Sequence, residues 1–197
     1  MLYYIAKLIY RVIGWEVNKE KALSLWEDKN VMIAFPHTSI LDTLVTMVGI
    51  FILKKKSYTF IKKEAFFWPL SWVLKMNKSI PVDRNSSSGI VSQIADEFDK
   101  REEFSVCIVP QGSRKKGSKV KTGFWHIAKQ ANAPIICWYF DRENKRCLCL
   151  GKIHPGESLD KDLELIQKLY DEVGYKLQPD RQVSDNEIEF PEQRKTA

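Results

Sequence analysis

Short apolar runs alternate with segments of helical period along most of this chain, and that alternation constrains its fold more than any other feature. Val31 to Phe35 reads as a buried strand, followed by a helix over Ile40 to Leu53 that Thr38 or Ser39 can cap. Tyr58 to Ile61 reads as a strand and Glu64 to Met76 as a helix kinked at Pro69. Ser79 to Val82 is a brief strand. Ser86 to Lys100 is an amphipathic helix with Ile90, Val91, Ile94, Ala95 and Phe98 on one side. Phe104 to Val109 is a strand and Thr122 to Ala131 a helix. Pro134 to Phe140 and Arg146 to Leu150 form two strands joined by the polar turn Asp141 to Lys145, and Leu159 to Leu177 is a closing helix. Strands that alternate with helices predict an α/β fold: a mixed, mostly parallel sheet flanked by helices, with the final hairpin antiparallel.

The chain of 197 residues predicts one domain, and no internal repeat or linker divides it. Residues 18–178 form the globular part, and the polar stretch 179–197 reads as a frayed tail. Residues 1–17 stand apart. Leu2, Tyr3, Tyr4, Ile5, Leu8, Ile9, Tyr10, Val12, Ile13 and Trp15 cover most of a helix, while Lys7 and Arg11, four apart, share one face. That pattern predicts an amphipathic helix lying in a membrane interface, with a terminal helix packed on the domain as the alternative. No segment has the roughly 18 uninterrupted apolar residues of a spanning helix.

A formal net charge of +6 favours anionic partners. The aromatic residues lie in apolar runs rather than among basic residues, so nucleic acid is not among those partners. The four cysteines, Cys107, Cys137, Cys147 and Cys149, occupy strand-like positions with no Cys-x-x-Cys pair. They read as reduced structural residues of a chain that faces the cytosol.

The first chemical candidate is His37 with Asp42. Five residues on a single helix would separate two side chains by about 140°. The pair therefore makes sense with His37 on the strand-to-helix turn and Asp42 on the first helical turn. There the carboxylate can accept from one imidazole nitrogen, which fixes the tautomer and leaves the other nitrogen to act as a base. His126 and His154 have no nearby acidic residue of metal-ligand spacing, so no metal site is expected. A second candidate joins Lys62 or Lys63 to Arg84, whose guanidinium can grip a phosphate with two hydrogen bonds. Phe66, Phe67, Trp68 and Trp72 between them read as core or as a lipid-facing patch. A third is the turn Pro110-Gln111-Gly112-Ser113-Arg114, which leads into Lys115, Lys116, Lys119 and Lys121. A glycine turn after a strand, with so many cations, suits an anion. It lacks the spacing of a nucleotide P-loop.

In this order and spacing the segments resemble the glycerolipid acyltransferase family. His37-Thr38-Ser39-Ile40-Leu41-Asp42 looks like the family's catalytic His-x4-Asp block. Lys63-Glu64 with Trp68-Pro69-Leu70 and then Ile80-Pro81-Val82-Asp83-Arg84 is similar to its second block, associated with acceptor binding. Pro110 to Arg114 resembles the third block, which helps hold the acceptor phosphate, and Ala133 to Ile136 resembles the fourth. The resemblance implies catalytic His37 and Asp42, and substrate binding by Lys63, Arg84, Gln111, Gly112, Ser113 and Arg114. It implies acyl-CoA or acyl-carrier protein as co-substrate, with no other cofactor and no metal. It implies work at the cytoplasmic face of a membrane, through peripheral or monotopic attachment to an anionic surface. The expected reaction carries a fatty acyl group to a lysophospholipid hydroxyl, with 1-acylglycerol 3-phosphate giving phosphatidic acid as the leading case.

The third block departs from the family. Gln111 stands where Glu is usual, losing a charge and gaining two donors, and Ser113 stands where Thr is common. The change keeps other acceptors open: a lyso-aminolipid, a glycolipid or glycerol 3-phosphate. A thioester hydrolase and a non-catalytic basic lipid-binding protein are the alternatives outside acyl transfer.

Overall fold

The computed structural model describes residues 2–36, 40–68, 71–72, 78–82, 89–111 and 119–177. In chain order its elements are α1 (Leu2–Ile13), β1 (Glu16–Val17), α2 (Lys19–Leu25), β2 (Lys29–Phe35), α3 (Ile40–Leu53), β3 (Tyr58–Lys62) and β4 (Ser79–Val82). There follow α4 (Gly89–Asp99), β5 (Phe104–Ile108), α5 (Gly123–Gln130), β6 (Ile135–Asp141), β7 (Arg146–Ile153) and α6 (Leu159–Asp171).

The strands make one seven-stranded sheet in the order β1-β7-β6-β2-β5-β3-β4. β2 pairs in parallel with both β5 and β6, and β3 with both β5 and β4. Among the described strands only the β6–β7 hairpin is antiparallel. This is the mixed, mostly parallel α/β sheet that the alternation of elements predicts.

Helices cover both faces, which is why β2 is buried without a break from Asn30 to Phe35. Val31, Ile33 and Phe35 point into one core with Phe98, Phe124, Ile166 and Tyr170, under α4, α5 and α6. Met32 and Ala34 point into the other with Tyr10, Ala22, Val45 and Cys149, under α1, α2 and α3. All four cysteines are free, and Cys137, Cys147 and Cys149 are buried, as the strand pattern suggests.

The N-terminal segment is tied to the domain at several points. Ala6 and Tyr10, one turn apart, are the buried residues of α1, and the Tyr10 hydroxyl donates to Val45 O at 2.7 Å. Gly49 makes the approach possible, because a Cβ there would lie 2.7 Å from the Tyr10 hydroxyl oxygen. Beyond Gly14, which ends α1 with a φ of 72°, Glu16 and Val17 join the sheet beside β7.

Four elements differ from the sequence expectation. β1 and α2 are additional. The closing helix stops at Asp171 rather than Leu177, because Gly174 takes a φ of 68° and turns Tyr175 back so that its N–H donates to Tyr170 O at 3.0 Å. Between β3 and β4, Lys63–Ala65 form a single 3-10 turn, and most of the rest of the expected helix Glu64 to Met76 lies outside the described residues.

Candidate functional site

β2, β3, β4, β5 and β6 run in parallel, so their carboxyl ends lie on one edge of the sheet. Open α/β sheets bind ligands in the crevice outside those ends. The first three blocks of the sequence lie there, while the fourth, Ala133 to Ile136, opens β6 at the opposite edge. Position 37 is two residues past β2, Lys63 immediately follows β3, Arg84 is two residues past β4, and Gln111 is three past β5.

Asp42 sits in the first turn of α3, where the helix N-terminus favours an anion. Its side chain is nevertheless taken out of water, with the residue only 1% exposed. A buried carboxylate needs a charged or multiply donating partner. Arg142 supplies one: Nε donates to Oδ1 at 3.1 Å, and Nη2 donates to Oδ2 in a short second bond. One turn on, Thr46 Oγ1 donates to the Asp42 carbonyl at 2.7 Å and fixes the start of the helix. Arg142 lies just past β6, so it reaches the same edge of the sheet, and its side chain remains 39% exposed. The sequence blocks give no hint of it.

An apolar hollow lies along α3 from its second turn to its last. Met32, Ala34, Thr46, Ile50, Trp138 and Cys147 are among the residues that line it. Burial, and then the neighbouring Cys149, Cys107 and Asp42, hold the Cys147 thiol far above its ordinary value. It remains a neutral apolar wall, not a nucleophile.

Gln111 is 7% exposed, and its amide Nε2 donates to the Tyr175 hydroxyl at 3.4 Å. The Tyr175 ring lies 5.9 Å from that of Phe35, at the end of β2. Burial raises the Tyr175 hydroxyl above its usual range, while the Gln111 amide opposes that shift. The neutral phenol thus serves as acceptor for the amide. Pro110 O accepts from Lys121 N at 2.9 Å, which closes the base of the loop between them. Gln111 therefore stands at the root of the cationic loop, with Lys119 and Lys121 exposed on its far side.

Lys63 is exposed in the 3-10 turn after β3. His37, Arg84, Gly112, Ser113 and Arg114 lie outside the described residues. Of the candidate site residues, the structure thus describes Asp42, Lys63 and Gln111, all at the carboxyl edge of the sheet, and adds Arg142.

The sequence matches the acyltransferase family over residues 16–141, well over half of its length, and the chain belongs to that family. The fold is similar to that of the crystal structure of the 1-acyl-sn-glycerophosphate acyltransferase PlsC from Thermotoga maritima. The two share 13% sequence identity at a TM-score of 0.61, over 89% of this chain and 79% of that one. No curated protein sequence matches the chain.

Proposed function

We propose that the protein transfers a fatty acyl group from an acyl thioester to the hydroxyl of a lysophospholipid, with 1-acylglycerol 3-phosphate as the leading acceptor. The observation that carries this reading is Asp42: a buried, ion-paired carboxylate in the first turn after β2, five residues beyond His37, on the helix whose later turns line an apolar hollow. Family membership supplies the reaction class, and the resemblance of the four blocks supplies the roles.

In this mechanism Asp42 accepts from one nitrogen of His37, and the other nitrogen takes the proton of the acceptor hydroxyl. The oxygen attacks the thioester carbonyl, an ester C–O bond forms and the C–S bond breaks. The proton passes from His37 to the departing thiol. Lys63, Arg84 and the loop Gln111, Gly112, Ser113 and Arg114 hold the acceptor's phosphate, and the hollow under α3 takes acyl carbons. The acyl carrier is CoA or a carrier protein, and the chemistry calls on no other cofactor.

The same reading places the protein on an anionic membrane surface at its cytoplasmic face. Tyr4, Leu8 and Val12 form one exposed stripe on α1, at 72, 61 and 77% exposure, with Ile5, Ile9 and Ile13 beside it. Lys7 and Arg11 are exposed on the same helix, and the ammonium groups of Lys19 and Lys54 lie over the Tyr3 ring. Among the described residues no helix is long and apolar enough to cross a membrane. Attachment in the interface lets a lysolipid reach the site without leaving the bilayer.

Gln111 favours one variation on this scheme. A neutral amide in place of a carboxylate at the root of the phosphate loop suits a different acceptor headgroup, such as that of a lyso-aminolipid or glycolipid. The test is product analysis by mass spectrometry after incubation with mixed acyl thioesters and a library of lysolipids and glycerol 3-phosphate. Phosphatidic acid as dominant product supports the leading acceptor. A different dominant ester replaces it, and thioester loss without any ester product refutes acyl transfer.

A further inference from the structure

The polar turn between β6 and β7 is built with more care than a surface turn needs. From within, the Asp141 carboxylate accepts from Asn144 N at 3.1 Å, Asn144 Nδ2 at 3.0 Å and Arg146 Nε at 3.0 Å. From outside, Lys145 Nζ donates to Ile13 O at 3.2 Å, and Lys145 O accepts from Glu16 N at 2.9 Å. The end of α1 and the short strand β1 thus brace one flank of the turn. Arg142 leaves this braced turn and reaches a carboxylate one hundred positions earlier in the chain.

We propose that Arg142 is a positioning residue of the acyl-transfer site: its planar fork clamps both oxygens of the buried Asp42, fixing the orientation of the carboxylate that serves His37 in the reading above and holding one cation against it. The proposal rests on the reading of His37 and Asp42 given above. Three physical points support it. An exposed arginine paired with an exposed acid would contribute little, but here the acid is buried, so the pair is poorly screened. The bidentate geometry restricts the rotation of the carboxylate about its χ2 torsion, which one ammonium donor does not. The turn is fixed before any substrate arrives, so the orientation is built in.

The cation held against Asp42 also opposes accumulation of positive charge on the imidazole. Other titratable groups packed around this end of α3 are Tyr10 from α1 and Cys147 from β7. Both are pushed up by burial and stay neutral near pH 7.

The test compares wild type, R142K, R142Q, D42N, D42N/R142Q and H37A, using the acyl-CoA and lysolipid that give the highest turnover, across a pH series. R142Q is expected to lower kcat about 10- to 100-fold, the usual effect of losing a group that orients a reacting residue. The KM for acyl-CoA stays unchanged. The acid limb of the kcat profile moves up by about half a unit to one unit, since a nearby cation has been removed. R142K, which keeps the charge but not the fork, loses rate while its acid limb stays in place. It also decides the matter if R142Q fails to fold. The double variant is no slower than D42N, because Arg142 acts through Asp42.

Unchanged kcat in R142Q overturns the proposal. So does a loss confined to the KM for acyl-CoA, a loss of kcat with an unmoved acid limb, or additivity in the double variant. H37A separates the two layers. Full turnover by H37A removes the dyad reading itself, whereas an inactive H37A beside a fully active R142Q removes only the role of Arg142.

Discussion

On the face of the sheet covered by α4, α5 and α6, large aromatic side chains meet edge to face. Phe98 and Phe104 have ring centroids 4.8 Å apart, and Phe35 and Tyr170 are 5.4 Å apart. The Tyr170 hydroxyl is satisfied by Trp138 O at 2.9 Å. On the face covered by α1, α2 and α3, β2 presents Met32 and Ala34, Gly49 faces a tyrosine, and a hollow remains among Ile50, Trp138 and Cys147. The indole N–H of Trp138 is buried there without an acceptor among the described residues. One face is therefore packed ring against ring, while the other leaves a small apolar hollow along α3 among Met32, Ala34, Ile50 and Trp138. That is the division expected when a site must hold an apolar chain.

The largest effect expected from this contrast lies on the first face. Phe104→Ala removes a fully buried ring that touches Phe98, Tyr58 and Phe60, and should cost about 3–5 kcal/mol in denaturant unfolding. A cost under about 1 kcal/mol would mean that this face is not the stabilising one.

Next comes Gly49→Ala. Alanine in a helix ordinarily gains stability over glycine by up to about 1 kcal/mol. Here the new Cβ would meet the buried Tyr10 hydroxyl at 2.7 Å, so the sign reverses and about 1–2 kcal/mol is lost. Tyr10→Phe in the same chain should recover most of that loss, as read by thermal unfolding.

Ala34→Leu, which overfills the hollow, should cost about 1–2 kcal/mol. Its expected signature is functional: competition between acyl-CoA lengths shifts toward shorter chains. An unchanged length preference would separate the hollow from the acyl chain.

A smaller, pH-dependent effect belongs to the edge near α2. The Lys152 hydrogen bond holds the Glu27 carboxyl below its ordinary value, with further help from the Lys152 and His154 charges against an opposing desolvation effect. A depressed acid contributes stability above its unfolded pKa and loses it as pH falls through the folded value. The gap in Tm between wild type and Lys152→Ala should therefore be present at neutral pH and close as the solution becomes acidic.

The smallest effect is on the surface. Lys56 and Glu103 form a pair whose side chains are both well exposed, so Lys56→Ala should change stability by less than about 0.5 kcal/mol.

Much of the sheet was legible because strands buried on both faces are written as unbroken apolar runs. Val31 to Phe35, Ile135 to Phe140 and Phe104 to Ile108 need no partner to be recognised. β1 is only two residues long and owes its existence to backbone bonding beside β7, which local periodicity does not encode. α2 is seven residues with Ala22 as its buried residue, too short for an apolar stripe. Asp42 was legible through its spacing from His37. Arg142 was not, since it belongs to a polar turn and meets its partner through tertiary folding. The one available signal was an arginine immediately past the carboxyl end of a central strand, the edge where α/β sheets place their sites. Gln111 was legible as a departure from the family pattern, while its bond to Tyr175 depended on the turn at Gly174.

The most direct measurement follows release of the thiol from an acyl-CoA on anionic vesicles, with and without lysophosphatidic acid, for wild type and His37→Ala. Thiol release that depends on the lysolipid and is matched by newly formed diacyl product, with both lost in a variant of unchanged Tm, is the predicted result. Undiminished ester formation by His37→Ala would contradict the account, because a base that can be deleted without loss is not the base.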